Sequence, residues 1–182
     1  LPAEIVSEAE TIFEKSQAHL SQIHSTRAMA FLIKGLYLNY IALRNSEDII
    51  LLNLLADRLV QMFKHESDKD WEWFEGYLTY ANSILPEAML YAWLLTREPV
   101  YRDIAVSSFN FLLSHTFNEN GIEVISNRSW FLKGEDVGQF GEQPIDVAYT
   151  IMTLSVFYDA FRDEEYFRKM VTAFNWFLGN NR

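Results

Sequence analysis

The stretch that decides the fold is Ile84-Leu-Pro-Glu-Ala-Met-Leu-Tyr-Ala-Trp-Leu-Leu95. Its only charge is Glu87, and its apolar residues fall on every side of a helix. A helix apolar all round is buried on several sides. Two more stretches share this character: residues 28–43, charged only at Lys34, and residues 145–158, charged only at Asp146. The segments between them are amphipathic. The last shows Tyr166, Phe167, Met170, Val171, Phe174 and Leu178 at helical spacing, with Glu164, Glu165, Arg168 and Lys169 interleaved. The spacing predicts seven helices, over 3–22, 26–43, 47–64, 83–96, 99–116, 144–161 and 164–178. Their order is outer, inner, outer, inner, outer, inner, outer, an all-α fold in two helix layers rather than a four-helix bundle. Ser25 and Ser46 read as N-caps. Pro86 and Pro144 stand near first turns, where a missing N–H costs little. Only residues 122–126 read as a strand, in a loop.

A repeat supports this order. Arg97-Glu-Pro-Val-Tyr101 with Phe109-Asn-Phe-Leu112 matches Arg162-Asp-Glu-Glu-Tyr166 with Phe174-Asn-Trp-Phe177, and Arg44-Asn-Ser-Glu-Asp48 is a weaker third copy. Each unit is an inner helix, a short turn and an outer helix, as in helical arrays. The three arginines fall near inner-helix C-termini, where the helix dipole favours cations.

Composition narrows the function classes. The chain has 182 residues, 49% of them hydrophobic, enough for one domain with a real core. Seven glycines and four prolines are about half of average usage, which suits long helices. The absence of cysteine removes disulfides, thiolate zinc sites and Cys nucleophiles. A net charge of −10 argues against nucleic acid as a partner. No apolar run is long enough for a membrane span, and no signal peptide is visible, so the expected location is the cytoplasm. The first residue is Leu1 rather than Met, and seven helices suit part of a larger ring; the sequence therefore reads as a fragment of a larger helical domain.

The connections are asymmetric. Inner-to-outer turns are short, whereas the outer-to-inner loops 65–82 and 117–143 are long, and long loops in compact domains tend to carry function. Both lead into helix N-termini and therefore share one face. The first carries Trp71, Trp73, Glu75, Tyr80 and Asn82; the second carries Trp130, Phe140, Glu142 and Gln143 and runs into Asp146. Aromatic rings beside amides and carboxylates suit sugars: a ring stacks on the C–H face, and polar groups bind hydroxyls. Trp71, Trp73, Tyr80, Asn82, Trp130, Phe140 and Gln143 are the candidate substrate-binding residues. Glu75, Glu87, Glu142 and Asp146 are the candidate carboxylates for acid–base work on a glycosidic bond. The competing account is structural: the loop aromatics plug the end of a helix array, and Glu87 and Asp146 are favoured by the dipole at helix N-termini.

Other motifs fail. Asp68-x-Asp70-x-Glu72 departs from a calcium loop, with Trp73 where Gly is needed and Thr79 where Glu is needed. His65 lacks a second His at helical spacing, and His19 and His24 do not share a helix face, so no metal is expected. No cofactor motif is present. Asn127-Arg-Ser129 is a glycosylation sequon only formally.

Three blocks carry a family likeness: Asp70-Trp-Glu-Trp-Phe-Glu75 with Leu78-Thr-Tyr-Ala-Asn82 and Leu85-Pro-Glu-Ala88; Gly138-Gln-Phe-Gly-Glu-Gln-Pro-Ile145; and Phe174-Asn-Trp-Phe-Leu-Gly-Asn180. Together, over about residues 25–180, they resemble the (α/α) toroid region that follows the catalytic domain in bacterial glycosyltransferases of the two-Rossmann-domain type. That region is in turn similar to six-hairpin glycosidases and sugar epimerases. The chain departs from the family pattern at Ala81 and Gly141, where Asp is frequent. The resemblance implies part of a six-hairpin ring, a glycan or sugar ligand and an upstream glycosyltransferase domain, which this chain does not itself contain. Two rivals remain: a glycosidase- or epimerase-like enzyme using paired carboxylates, and a structural hairpin array whose open edge favours a homodimer.

Overall fold

The computed structural model describes residues 2–136, 138 and 141–180, so Phe140, a candidate binding residue, lies outside the described residues. Among the described residues the chain is all-α, with seven helices: α1 (Ala3–Leu20), α2 (Thr26–Leu43), α3 (Ser46–Glu66), α4 (Ile84–Thr96), α5 (Pro99–Thr116), α6 (Pro144–Phe161) and α7 (Glu164–Phe177). The ends of α2, α5 and α6 are those the sequence predicts. Four two-residue strands accompany them: β1 (Tyr77–Leu78), β2 (Phe117–Asn118), β3 (Gly121–Ile122) and β4 (Phe131–Leu132). The expected strand at 122–126 is therefore shorter and earlier. It is one arm of a hairpin that pairs Phe117 with Ile122.

Six helices form three hairpins, α2–α3, α4–α5 and α6–α7, and α4 packs against both α2 and α6. This position explains the opening stretch: Ile84 to Leu90 are buried without interruption. The other two inner helices have a neighbour on one side only. Phe31, Leu38 and Ile41 on α2, and Ile145 and Met152 on α6, are consequently exposed despite the same apolar character. The first helix, α1, stands apart, with Ile5 and Ile12 in solvent, and meets the core through Phe13 and Leu20.

The repeat is structural. Each hairpin turn places one arginine in the left-handed region: Arg44 at φ 58°, Arg97 at φ 64° and Arg162 at φ 55°. In each turn the arginine N–H donates to the carbonyl of the aromatic residue four positions earlier (Tyr40, Trp93 and Tyr158), at 2.8 Å every time. This is the C-terminal motif that usually calls for glycine. Here the guanidinium folds back over that same ring, 5.0 to 5.4 Å from its centre, and the cation–π attraction offsets part of the ~1 kcal/mol conformational cost. The following residue is extended and starts the outer helix. Asn45 and Asp163 cap it by accepting from the N–H two residues on, so the cap of α3 is Asn45 and not Ser46. Ser25 stands at the N-cap of α2 but its side chain makes no capping bond.

Candidate functional site

The N-termini of the inner helices meet the two long loops. The loops are tied together by the antiparallel ladder of β1 and β4, which pairs Tyr77 with Leu132 and Leu78 with Phe131. Lys133 reinforces the junction by donating to the Glu66 carbonyl at 2.5 Å and pairing with Asp68 at 3.0 Å. That bond and charge lower Asp68 from the ordinary carboxyl range, after the larger effect of the Asp70 N–H.

Arg27, in the first turn of α2, organises the centre. Its Nε donates to the Tyr80 carbonyl at 2.7 Å, Nη1 to Glu75 Oε2 at 2.8 Å, and Nη2 to Asn82 Oδ1 at 3.2 Å. Its guanidinium lies over the Tyr80 ring at 5.3 Å. Glu75 also accepts a short hydrogen bond from the Thr26 hydroxyl. The charge of Glu75 raises the phenol of Tyr77, whose hydroxyl lies 3.5 Å from Oε1. Asn82 closes its own turn, accepting from Thr79 N–H and donating to the Thr79 carbonyl, both at 2.9 Å.

These bonds fix a ring pair at the surface. Tyr80 is 52% exposed and Trp130, half-buried, lies with its ring centre 6.2 Å away. Each is held by a left-handed residue: Ala81 at φ 48°, directly after Tyr80, and Trp130 itself at φ 52°. Strained backbone of this kind persists where surroundings over-determine it, and it clusters at binding sites. Gly141 shows the same crowding: at φ +85° a Cβ there would sit 2.6 Å from Asn127 Oδ1. A larger residue at 141 would have to displace the Asn127 and Arg128 side chains.

The four candidate carboxylates differ. Glu75 and Glu87 are held in ion pairs, Glu87 with Lys34 Nζ at 2.7 Å and with a further contact from the Thr153 hydroxyl at 3.3 Å. Although Glu87 stands in the first turn of α4, the partner that holds it is on α2. Glu142 and Gln143 are half-buried beside the site, and Gln143 is the residue from which α6 starts. Asp146 is buried with Oδ1 accepting from the Ala81 N–H at 2.5 Å. Burial pushes its carboxyl up to about 6, against the smaller opposing effects of that N–H and of Arg27.

The shift has a consequence for stability. Between about pH 4 and pH 6 folded Asp146 keeps a proton that the unfolded chain releases, so this group's contribution falls as pH rises through that window. Asp146→Asn keeps the acceptor for Ala81 and removes the ionisation. The variant is expected to be more stable than the parent at pH 8 by on the order of 2 kcal/mol, and equal to it near pH 3.5, in urea denaturation.

Two expected ligand contacts are corrected. Trp71 is 4% exposed and Trp73 is fully buried, so neither ring can stack on a sugar. Trp71 lies edge-on to Phe111 at 5.0 Å and Phe131 at 5.2 Å, and donates from Nε1 to the Glu75 carbonyl at 2.8 Å. Trp73 packs on Phe74 and Phe111. Both pack against Phe111 of α5. Arg27 and Thr26 belong to the hydrogen-bonded cluster around Glu75, and sequence reasoning misses them. A signal existed: a cation in the first turn opposes the helix dipole, so Arg27 needed an acid outside its own helix. Among the described residues no cluster of three or more His, Asp or Glu side chains could hold a metal ion, and no helix is long and apolar enough to cross a membrane.

Comparison with known protein families and with curated proteins finds no match to this chain.

Proposed function

We propose that this chain is a carbohydrate-associated helical domain of a bacterial glycosyltransferase, and that its loop face binds acceptor glycan. In this reading the three hairpins are an arc of a six-hairpin ring. Tyr80 and Trp130 stack on the sugar, and Gln143 and Glu142 bind its hydroxyls, while buried Asp146 holds the Ala81 N–H behind the ring pair. Asn82 and the Arg27–Glu75 pair hold the platform rigid. The observation that carries the reading is the pair of exposed Tyr80 and half-buried Trp130, fixed by two left-handed residues and by Arg27. A pre-positioned platform loses little freedom on binding.

Two of the four candidate carboxylates are tied up and unsuited to acid–base chemistry. Glycoside hydrolysis needs two carboxylates free to exchange a proton or attack, whereas Glu75 and Glu87 are neutralised by Arg27 and Lys34.

Titration with a panel of neutral and amino oligosaccharides, followed by calorimetry and tryptophan fluorescence, tests the proposal. Tyr80→Ala and Trp130→Ala are each expected to weaken binding at least tenfold while changing stability by less than about 1 kcal/mol, because neither ring is core. Absence of binding across the panel, or binding untouched by both substitutions, overturns it.

A further inference from the structure

The repeat register pairs the junction of α3 and α5 with that of α5 and α7, and the chain closes the first while leaving the second open. Between α3 and α5 the Tyr101 hydroxyl donates to Asp57 Oδ1 at 2.7 Å, and Ile104, one turn on, is buried. Between α5 and α7 the same register places Tyr166 for Tyr101, Asn110 for Asp57 and Lys169 for Ile104. There Tyr166, Asn110 and Lys169 line an open groove of about 500 Å³, together with Glu165 and the apolar Leu113 and Phe117. A volume of this size lies in the range of small-ligand sites. The groove lies between the second and third hairpins, which pack through α4 and α6, and not at an edge of the array.

The polar groups of this groove lack the partners of the closed junction. Tyr166 is 8% exposed, its ring packed on Phe109 at 6.0 Å and Phe157 at 5.3 Å. Among the described residues its hydroxyl makes no hydrogen bond, and neither does the Asn110 side-chain amide. Burial, and then the charges of Asp163 and Glu165, raise the phenol of Tyr166 to about 12, against the opposing effect of Arg102. Asp163 and Glu165 also line the groove, so the hydroxyl is on the groove side of the ring. A hydroxyl on a mostly buried ring calls for a partner, and here only a molecule in the groove can supply one.

Charge selects the class of that molecule. Lys169 Nζ pairs with Glu165 Oε1 at 3.1 Å and lies over the Phe117 ring at 5.2 Å. Asp163 caps its own helix, accepting from the Glu165 N–H at 2.9 Å. The cation is thus matched, and the groups left over are neutral ones that both donate and accept, the Tyr166 hydroxyl and the Asn110 amide. Set beside Leu113 and Phe117, they suit a neutral polyhydroxylated ring, which offers hydroxyls at its edge and C–H groups on its face.

We propose that the groove between α5 and α7 is a second small-ligand site, one that takes a neutral sugar ring and binds its hydroxyls through Tyr166 and Asn110. It shares no residue with the loop-face platform and does not depend on it. Titration of the folded, 15N-labelled protein with glucose, N-acetylglucosamine, glucosamine and glucuronate, followed at the Asn110 side-chain amide signal by NMR, tests it. Saturable shifts are expected with the two neutral sugars, at a dissociation constant on the order of millimolar. Tyr166→Phe keeps the ring packing and removes only the hydroxyl, and Lys169→Ile installs the residue of the closed junction. Each is expected to weaken binding about tenfold or more, whereas Tyr80→Ala on the loop face is expected to leave it unchanged. Absence of saturable binding by both neutral sugars overturns the proposal. So does binding that either groove substitution leaves intact, that Tyr80→Ala abolishes, or that a charged sugar matches.

Discussion

Lys34→Met is expected to lower the unfolding free energy by about 3–5 kcal/mol at neutral pH, the cost of leaving one partner of a buried pair alone. Glu87 is fully buried, and its carboxylate is held by Lys34 Nζ at 2.7 Å and the Thr153 hydroxyl at 3.3 Å. Without the ammonium a buried anion remains with only the neutral hydroxyls of Thr153 and Tyr91. The reverse substitution is expected to cost less. Lys34 is partly exposed, and in Glu87→Met its flexible stem can carry the ammonium to water. The double variant Lys34→Met/Glu87→Met should recover most of the loss, since an apolar pair of similar volume often matches a buried ion pair. Urea denaturation of the two single variants and the double closes the cycle. Equal losses in both single variants, with no recovery in the double, would count against this account of the pair.

The ion pair also shows what was legible in the sequence. Lys34 and Glu87 are the lone charges of two apolar helices, and the offset that aligns Arg44 with Arg97 also aligns them. Opposite lone charges in one register can be read as partners from the residues alone. The helix boundaries were legible for a similar reason, since local turns and periodic burial set them. The all-round apolar pattern means full burial for α4, which has inner neighbours on both sides. For α2 and α6 it overstates burial, because burial depends on how many neighbours exist and no local pattern records that. The loops were harder still. Composition places Trp71, Trp73, Tyr80 and Trp130 in equivalent surroundings, but β1–β4 pairing and the Glu75–Arg27 bond turn two of them inward and hold two at the surface. Those are long-range contacts between loop and helix. The left-handed backbone at Ala81 and Trp130 is likewise imposed by tertiary bonds, neither residue being one that favours it.

The contrast among the tryptophans makes a second large prediction. Trp73→Ala is expected to cost about 3–5 kcal/mol, from lost transfer energy and the cavity left among Phe74 and Phe111. For a chain of this size that is a fall in melting temperature of roughly 6–20 °C. Trp73→Phe should cost far less. It keeps an aromatic ring in the hole and removes an indole N–H that is buried with no hydrogen-bond partner, a group whose burial itself carries a penalty. Trp130→Ala, by contrast, empties no core site. The midpoint in urea should therefore shift strongly for Trp73→Ala, modestly for Trp73→Phe and little for Trp130→Ala, with an unchanged denaturant slope in all three. If Trp73→Ala were as mild as Trp130→Ala, the first loop would not be anchored in the core against α5. The assignment of the ring pair, rather than the buried indoles, as the platform would then lose its basis.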